Sequence, residues 1–150
     1  MSSESVLFRL RVFLLALAGF MCVGTIVELA LTKHWESPTQ VLPFVLSGLS
    51  LVVITVVLLR PGRGSLRLLR WVLGIALVGS LFGVFEHIEH NLEFALEIRP
   101  NAVAADVIWE AVAGANPLLA PGILAFTAII ALAATYYHPM LQGDSGLVNR

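Results

Sequence analysis

Four long apolar runs, each close to the length needed to cross a lipid bilayer, constrain this chain more than any other feature. A helix rises about 1.5 Å per residue, so about 20 predominantly apolar residues cross a hydrocarbon core about 30 Å thick. Residues 12–31 form one such run, interrupted only by Thr25 and Glu28. Residues 41–59 form a second, with Pro43 expected in its first turn, where a missing N–H is tolerated. A third begins near Trp71, is apolar through Phe85 and keeps a helical pattern to about Leu96. The fourth covers residues 118–137, between the start signal Asn116-Pro117 and the stop signal Pro139. Composition agrees: 58% of the residues are hydrophobic and 13% charged, where soluble domains carry about 25% charged residues. A water-soluble fold of 150 residues could not cover that much apolar surface.

The expected fold is therefore all-α: a four-transmembrane-helix, up-down-up-down bundle forming a single domain. Its spans are predicted at about 12–32, 40–60, 67–96 and 117–138. In the longest connection, residues 97–116, Val103, Val107, Ile108 and Val112 recur at helical spacing, with Asp106, Trp109 and Glu110 between them. That pattern predicts a short amphipathic helix lying at the membrane interface. Arg9 and Arg11 before an apolar run, with Ala16-Leu17-Ala18, resemble a secretion signal. The run is too long for a signal core, so it reads as an uncleaved first span. The single cysteine, Cys22, lies within that span and reads as a small core residue.

Basic residues orient the bundle. The N-terminus, the 60–70 turn and the C-terminus hold Arg9, Arg11, Arg60, Arg63, Arg67, Arg70 and Arg150, seven of nine Lys and Arg, beside only Glu4 and Asp144. The opposite side has Lys33, Arg99 and the other eight of ten carboxylates. Lys and Arg near spans favour the cytoplasm, which places both termini there, in a bacterial inner membrane.

Chemistry, if the chain carries any, gathers at the outer end. Ionisable side chains in a span cost about 2.5–3.5 kcal/mol each on insertion scales, which makes them functional candidates. Glu28 lies three residues before the outer end of the first span, and Glu86, His87, Glu89, His90 and Glu93 end the third. Positions 79, 83, 86, 90, 93 and 97 share one helical face, reading Gly79, Gly83, Glu86, His90, Glu93 and Glu97. Small residues let helices approach closely in lipid, so Gly79 and Gly83 predict a packed face that the acidic and histidine residues continue. If the first and third helices oppose each other across the core, Glu28 faces Glu86 or His90.

Carboxylate and imidazole ligands from two helices can hold one divalent metal ion. The candidate ligands are Glu28, Glu86, His87 and His90, with His34 and Glu93 further out. The spacing does not reproduce the Glu-x-x-His pairs of di-iron bundles, and a bis-histidine haem would need His34 at the depth of the third helix. The alternative is a structural network of hydrated and paired side chains. No nucleotide-binding loop, nucleophile elbow or HExxH motif is present, and no catalytic residue is assigned. The sequence therefore favours a non-enzymatic accessory or stabilising subunit of a larger inner-membrane complex. Its partners would be the lipid bilayer and other membrane subunits or further copies of itself, not nucleic acid. A metal-dependent redox enzyme or metal-handling factor is the alternative.

Topology can be tested directly. In a Cys22→Ser background, Ser37→Cys and Asn101→Cys should react with an impermeant thiol reagent applied to intact cells. Ser65→Cys should react only after the membrane is opened. Labelling of Ser65→Cys in intact cells would reverse the orientation.

Overall fold

A computed structural model describes residues 2–142, which are helical throughout apart from short connections. The helices are α1 (Ser3–Leu31), α2 (Pro38–Leu59), α3 (Arg63–Ile98), α4 (Ala104–Val112) and α5 (Leu119–Ala133), followed by a 3₁₀ turn (Pro139–Leu141). Three of them, α1, α2 and α3, are long and apolar enough to cross a membrane, and α5 is a shorter apolar helix. Asp144 and Arg150, counted above with the cytoplasmic side, lie outside the described residues.

Local sequence sets the helix ends. Ser2 accepts from the Ser5 amide at the start of α1, so the helix begins nine residues before the apolar run at residue 12. At the other end, His34 N–H donates to Leu29 and Lys33 N–H to Ala30, the paired bonds of a Schellman cap. Lys33 takes the left-handed position (φ 53°), where glycine is the usual occupant. Ser37 caps α2, its hydroxyl accepting from Gln40 N–H at 3.4 Å, while the Gln40 side-chain Oε1 accepts from Glu36 N–H at 2.7 Å. Pro38, not Pro43, occupies the first turn of α2. Pro43 is thus an interior proline and removes one helical hydrogen bond. At the α2–α3 turn, Ser65 donates to the carbonyls of Arg60 (3.1 Å) and Gly62 (3.0 Å), and its oxygen accepts from Gly62 N–H at 3.0 Å.

The four apolar helices pack as an antiparallel bundle in which each neighbour is held through small residues. Gly19 of α1 lies against Leu51 and Ile54 of α2. Gly79 of α3 lies under Leu46 of α2, and Gly83 of α3 lies against Pro121 of α5. Arg11 of α1 donates to the backbone carbonyls of Tyr136 (3.4 Å) and Tyr137 (3.2 Å), just past the end of α5. Ala18, Ala76, Ala128 and Ala131 are fully buried between the helices. Lipid tails are as apolar as leucine, so close packing rather than burial from water is what rewards such contacts in a membrane. Around the bundle the order is α1, α2, α3, α5, which puts α1 and α3 on opposite corners without direct packing.

α3 is much the longest helix. Its 36 residues reach about 54 Å, well beyond a hydrocarbon core. Its buried stripe runs through Leu66, Leu69, Leu73, Ala76 and Ser80 to Asn91. The part beyond Glu86 rises past the start of α5 and is covered by α4. The amphipathic helix expected in the 97–116 connection is present, and its buried positions, Val107 and Ala111, face α3.

The glycine contacts differ in what an added side chain would meet. A Cβ on Gly83 would come within 3.0 Å of the Pro121 ring, whereas a Cβ on Gly74 meets nothing within 4 Å. Gly83→Leu should lower the thermal midpoint in detergent by an amount equivalent to about 1–3 kcal/mol, and Gly74→Leu should change it little. Equal losses would mean that the approach of Gly83 to Pro121 does not set the α3–α5 spacing.

Candidate functional site

The acidic end of the bundle is organised by a side chain that the acidic and histidine pattern does not single out. Asn91 is 3% exposed, on the core stripe of α3. Its amide nitrogen donates to the carbonyls of Ala111 and Asn116, each at 2.9 Å, and its amide oxygen accepts from Asn116 N–H at 2.9 Å. One side chain thereby closes the end of α4 and the α4–α5 connection onto α3. Gly114 makes this possible: a Cβ there would sit 2.5 Å from the Asn91 amide carbon. The carbonyls that end a helix have no partner of their own, and burying them unpaired would cost about 1–3 kcal/mol each.

The flanking residues act in the same way. His87 Nδ1 donates to the Pro117 carbonyl at 3.1 Å, four residues further out than the Gly83–Pro121 contact. Ser80 Oγ donates to the Pro121 carbonyl. Ser80, His87 and Asn91 therefore form a ladder from α3 to the start of α5 and the connection before it. Pro117 and Pro121 have no N–H, so the hydrogen bonds from α3 reach them at their carbonyls, beside the packing of Gly83 on the Pro121 ring.

The predicted site residues separate into two groups. Glu86 and His87 are half-buried on α3, while His90 and Glu93 are exposed. His90 Nδ1 donates to the Glu86 carbonyl at 2.8 Å, a bond within its own helix. Glu28 is exposed on α1, and His34 is half-buried just past the end of that helix, within electrostatic reach of His87. α1 and α3 do stand on opposite corners across the bundle, as expected, but Glu28 is exposed on α1 rather than turned into the core towards Glu86 or His90. The face of α3 that runs inward is one position round from the Glu86–His90 face: it is the stripe that ends in Asn91. Among the described residues, no three His, Cys, Asp or Glu side chains are grouped so that they could hold a metal ion. Further out, Arg99 pairs with Glu110 of α4, and both side chains are exposed.

A second polar feature lies deeper. The hydroxyls of Thr25, Ser47 and Ser50 are buried without a hydrogen-bond partner among the described residues. With Cys22, they line the seam between α1 and α2. Thr127, fully buried, shows what a helical hydroxyl does in such surroundings: it donates back to the carbonyl four residues earlier, at 2.8 Å, as the exposed Thr55 also does.

No family model, curated protein or solved structure matches this chain. The geometry therefore stands by itself, and what it offers chemically is a set of donors and acceptors spent on the protein's own backbone.

Removing the Asn91 amide leaves the Asn116 carbonyl and N–H without these partners, and leaves the Ala111 carbonyl with only the 3.3 Å bond from Gly114 N–H. Asn91→Ala should lower the thermal midpoint in detergent by the equivalent of about 2–4 kcal/mol, and Gly114→Ala should act in the same direction. His90→Ala, at an exposed position, should have little effect. A midpoint unchanged in Asn91→Ala would remove the clamp from the account.

Proposed function

We propose that this chain is a non-enzymatic integral membrane protein, an accessory or stabilising subunit of a larger complex in a bacterial inner membrane. In this reading α5, extended by the turns at its two ends, is the fourth span, and both termini are cytoplasmic. The contacts of Arg11 with the end of α5 and of Ser80 with its start support that reading. They hold α5 level with its neighbours over their apolar length.

One observation carries the functional reading. Ser80, His87, His90 and Asn91 close on the protein's own backbone, and what they support is a head of α3 and α4. The head presents large apolar groups outward: Trp109 is 81% exposed, and Val103 and Phe94 are also exposed. Trp109 lies on the opposite face of α4 from Val107 and Ala111, which pack on α3. Aromatic side chains held this way are typical anchors of a protein interface. The partner is another membrane subunit or a further copy of this chain.

Extracted in a mild detergent, the protein should migrate in native gels as an assembly several times its 16.2 kDa mass. Trp109→Glu should release it while leaving the thermal midpoint of the isolated chain unchanged. A chain that migrates alone under every gentle extraction would contradict the subunit reading. About one divalent ion per chain, lost in Glu86→Gln or His90→Ala, would favour the metal-dependent alternative.

A further inference from the structure

The surface between α2 and α3 holds an open apolar cavity of about 470 Å³. It is lined by Leu42 and Leu46 of α2 and by Trp71, Gly74, Ile75 and Gly79, among others, of α3. The cavity exists because of glycine. Gly74 opens onto empty space, and Gly79 lets Leu46 lie directly on the α3 backbone. From Trp71 to Gly79 it extends about 12 Å along the helix axis.

The cavity runs towards the basic end of the bundle. Arg63, Arg67, Trp71 and Ile75 recur every four residues, with Gly74 three residues after Trp71, and so lie on one side of α3. Arg67 is one turn below Trp71, and Arg63 is one turn below Arg67. Arg60 ends α2 beside them. All three arginines are exposed, and none forms an ion pair among the described residues, where the only such pair is Arg99 with Glu110. The arrangement is a wholly apolar trough with an indole at its mouth and three unneutralised guanidinium groups below it.

We propose that this groove is a binding site for one anionic phospholipid. An acyl chain lies along Gly74 and Gly79, and the headgroup phosphate meets Arg60, Arg63 and Arg67. Volume and charge select this occupant. A helix about 10 Å across laid along the same length would need roughly twice the space. A guanidinium fork pairs with phosphate oxygens in a bidentate manner. Trp71 sits between the two regions, at the headgroup level where indoles concentrate. The site does not depend on the subunit reading, because it uses only the bundle and a surrounding bilayer.

Purified protein in mild detergent, stripped of lipid and titrated with phosphatidylglycerol or phosphatidylcholine, tests the site by native mass spectrometry. Phosphatidylglycerol should bind with a stoichiometry of one and at least tenfold more tightly than phosphatidylcholine. Arg63→Gln and Arg67→Gln should each weaken phosphatidylglycerol roughly fivefold, the effect of one interfacial basic residue, and leave phosphatidylcholine unchanged. Gly74→Leu fills the groove without a clash, and it should abolish the tight site while keeping the lipid-free thermal midpoint. Equal affinity for the two lipids, or a Gly74→Leu protein that still binds phosphatidylglycerol tightly, would overturn the proposal. So would a dimer that Gly74→Leu dissociates, since a second copy would then be the occupant.

Discussion

In an apolar medium every backbone N–H and C=O needs a partner within the protein, and the whole architecture answers that demand. The helices satisfy it over their own lengths. The difficulty lies where they stop, since the last four carbonyls of each helix have no intrahelical donor. Each break in this chain is closed by a specific local device. After α1 it is the Schellman cap at Lys33 and His34. Between α2 and α3 it is Ser65, bonded to Arg60 and Gly62. After α4 it is Asn91, and after α5 it is Arg11 on the Tyr136 and Tyr137 carbonyls. Two of these devices reach across to another helix, so satisfying the backbone and fixing the bundle are one event.

This distribution of polar groups bears on function. An amide, an imidazole or a guanidinium buried in a small membrane protein invites a catalytic or metal-binding interpretation, because its desolvation is costly. Here the cost is offset by bonds to backbone carbonyls at helix ends and connections. His87 and Asn91 hold the connection before α5, and Arg11 holds the turn after it. The groups left facing outward are different in kind. They are Trp109 and its neighbours on the head, and the arginines at the foot of the α2–α3 groove. Both suit recognition of another molecule: a protein surface at one end and a charged lipid at the other.

Much of this was legible in the sequence. Residues 12–31 and 41–59 announce helices by length and hydropathy alone, and Gly79 and Gly83 do mark helix contacts. The Val107 periodicity correctly implied α4. The angular position of Glu28 was not legible: α1 and α3 stand across the bundle from each other, as expected, but periodicity on one helix carries no information about the angular position of another. Hence Glu28 could not be placed relative to Glu86 from spacing alone. Asn91 was within reach. Extending the core stripe from Leu73, Ala76 and Ser80 by eleven residues from Ser80 lands on it, but the surrounding Glu and His residues drew the inward face one position round. Pro43 misled for a local reason, because Pro38 already occupied the first turn of α2.

Hydrogen–deuterium exchange in lipid nanodiscs addresses the dependence of the fold on side-chain closure of its breaks. In the parent protein, the Asn116 N–H and the amides at the start of α5 should exchange slowly, although they flank a connection without regular structure. In Asn91→Ala, protection should fall across residues 111–119 and remain unchanged along α1 and α2. Equal protection of Asn116 in the two proteins would show that the break before α5 is held by something other than Asn91 and would contradict the account.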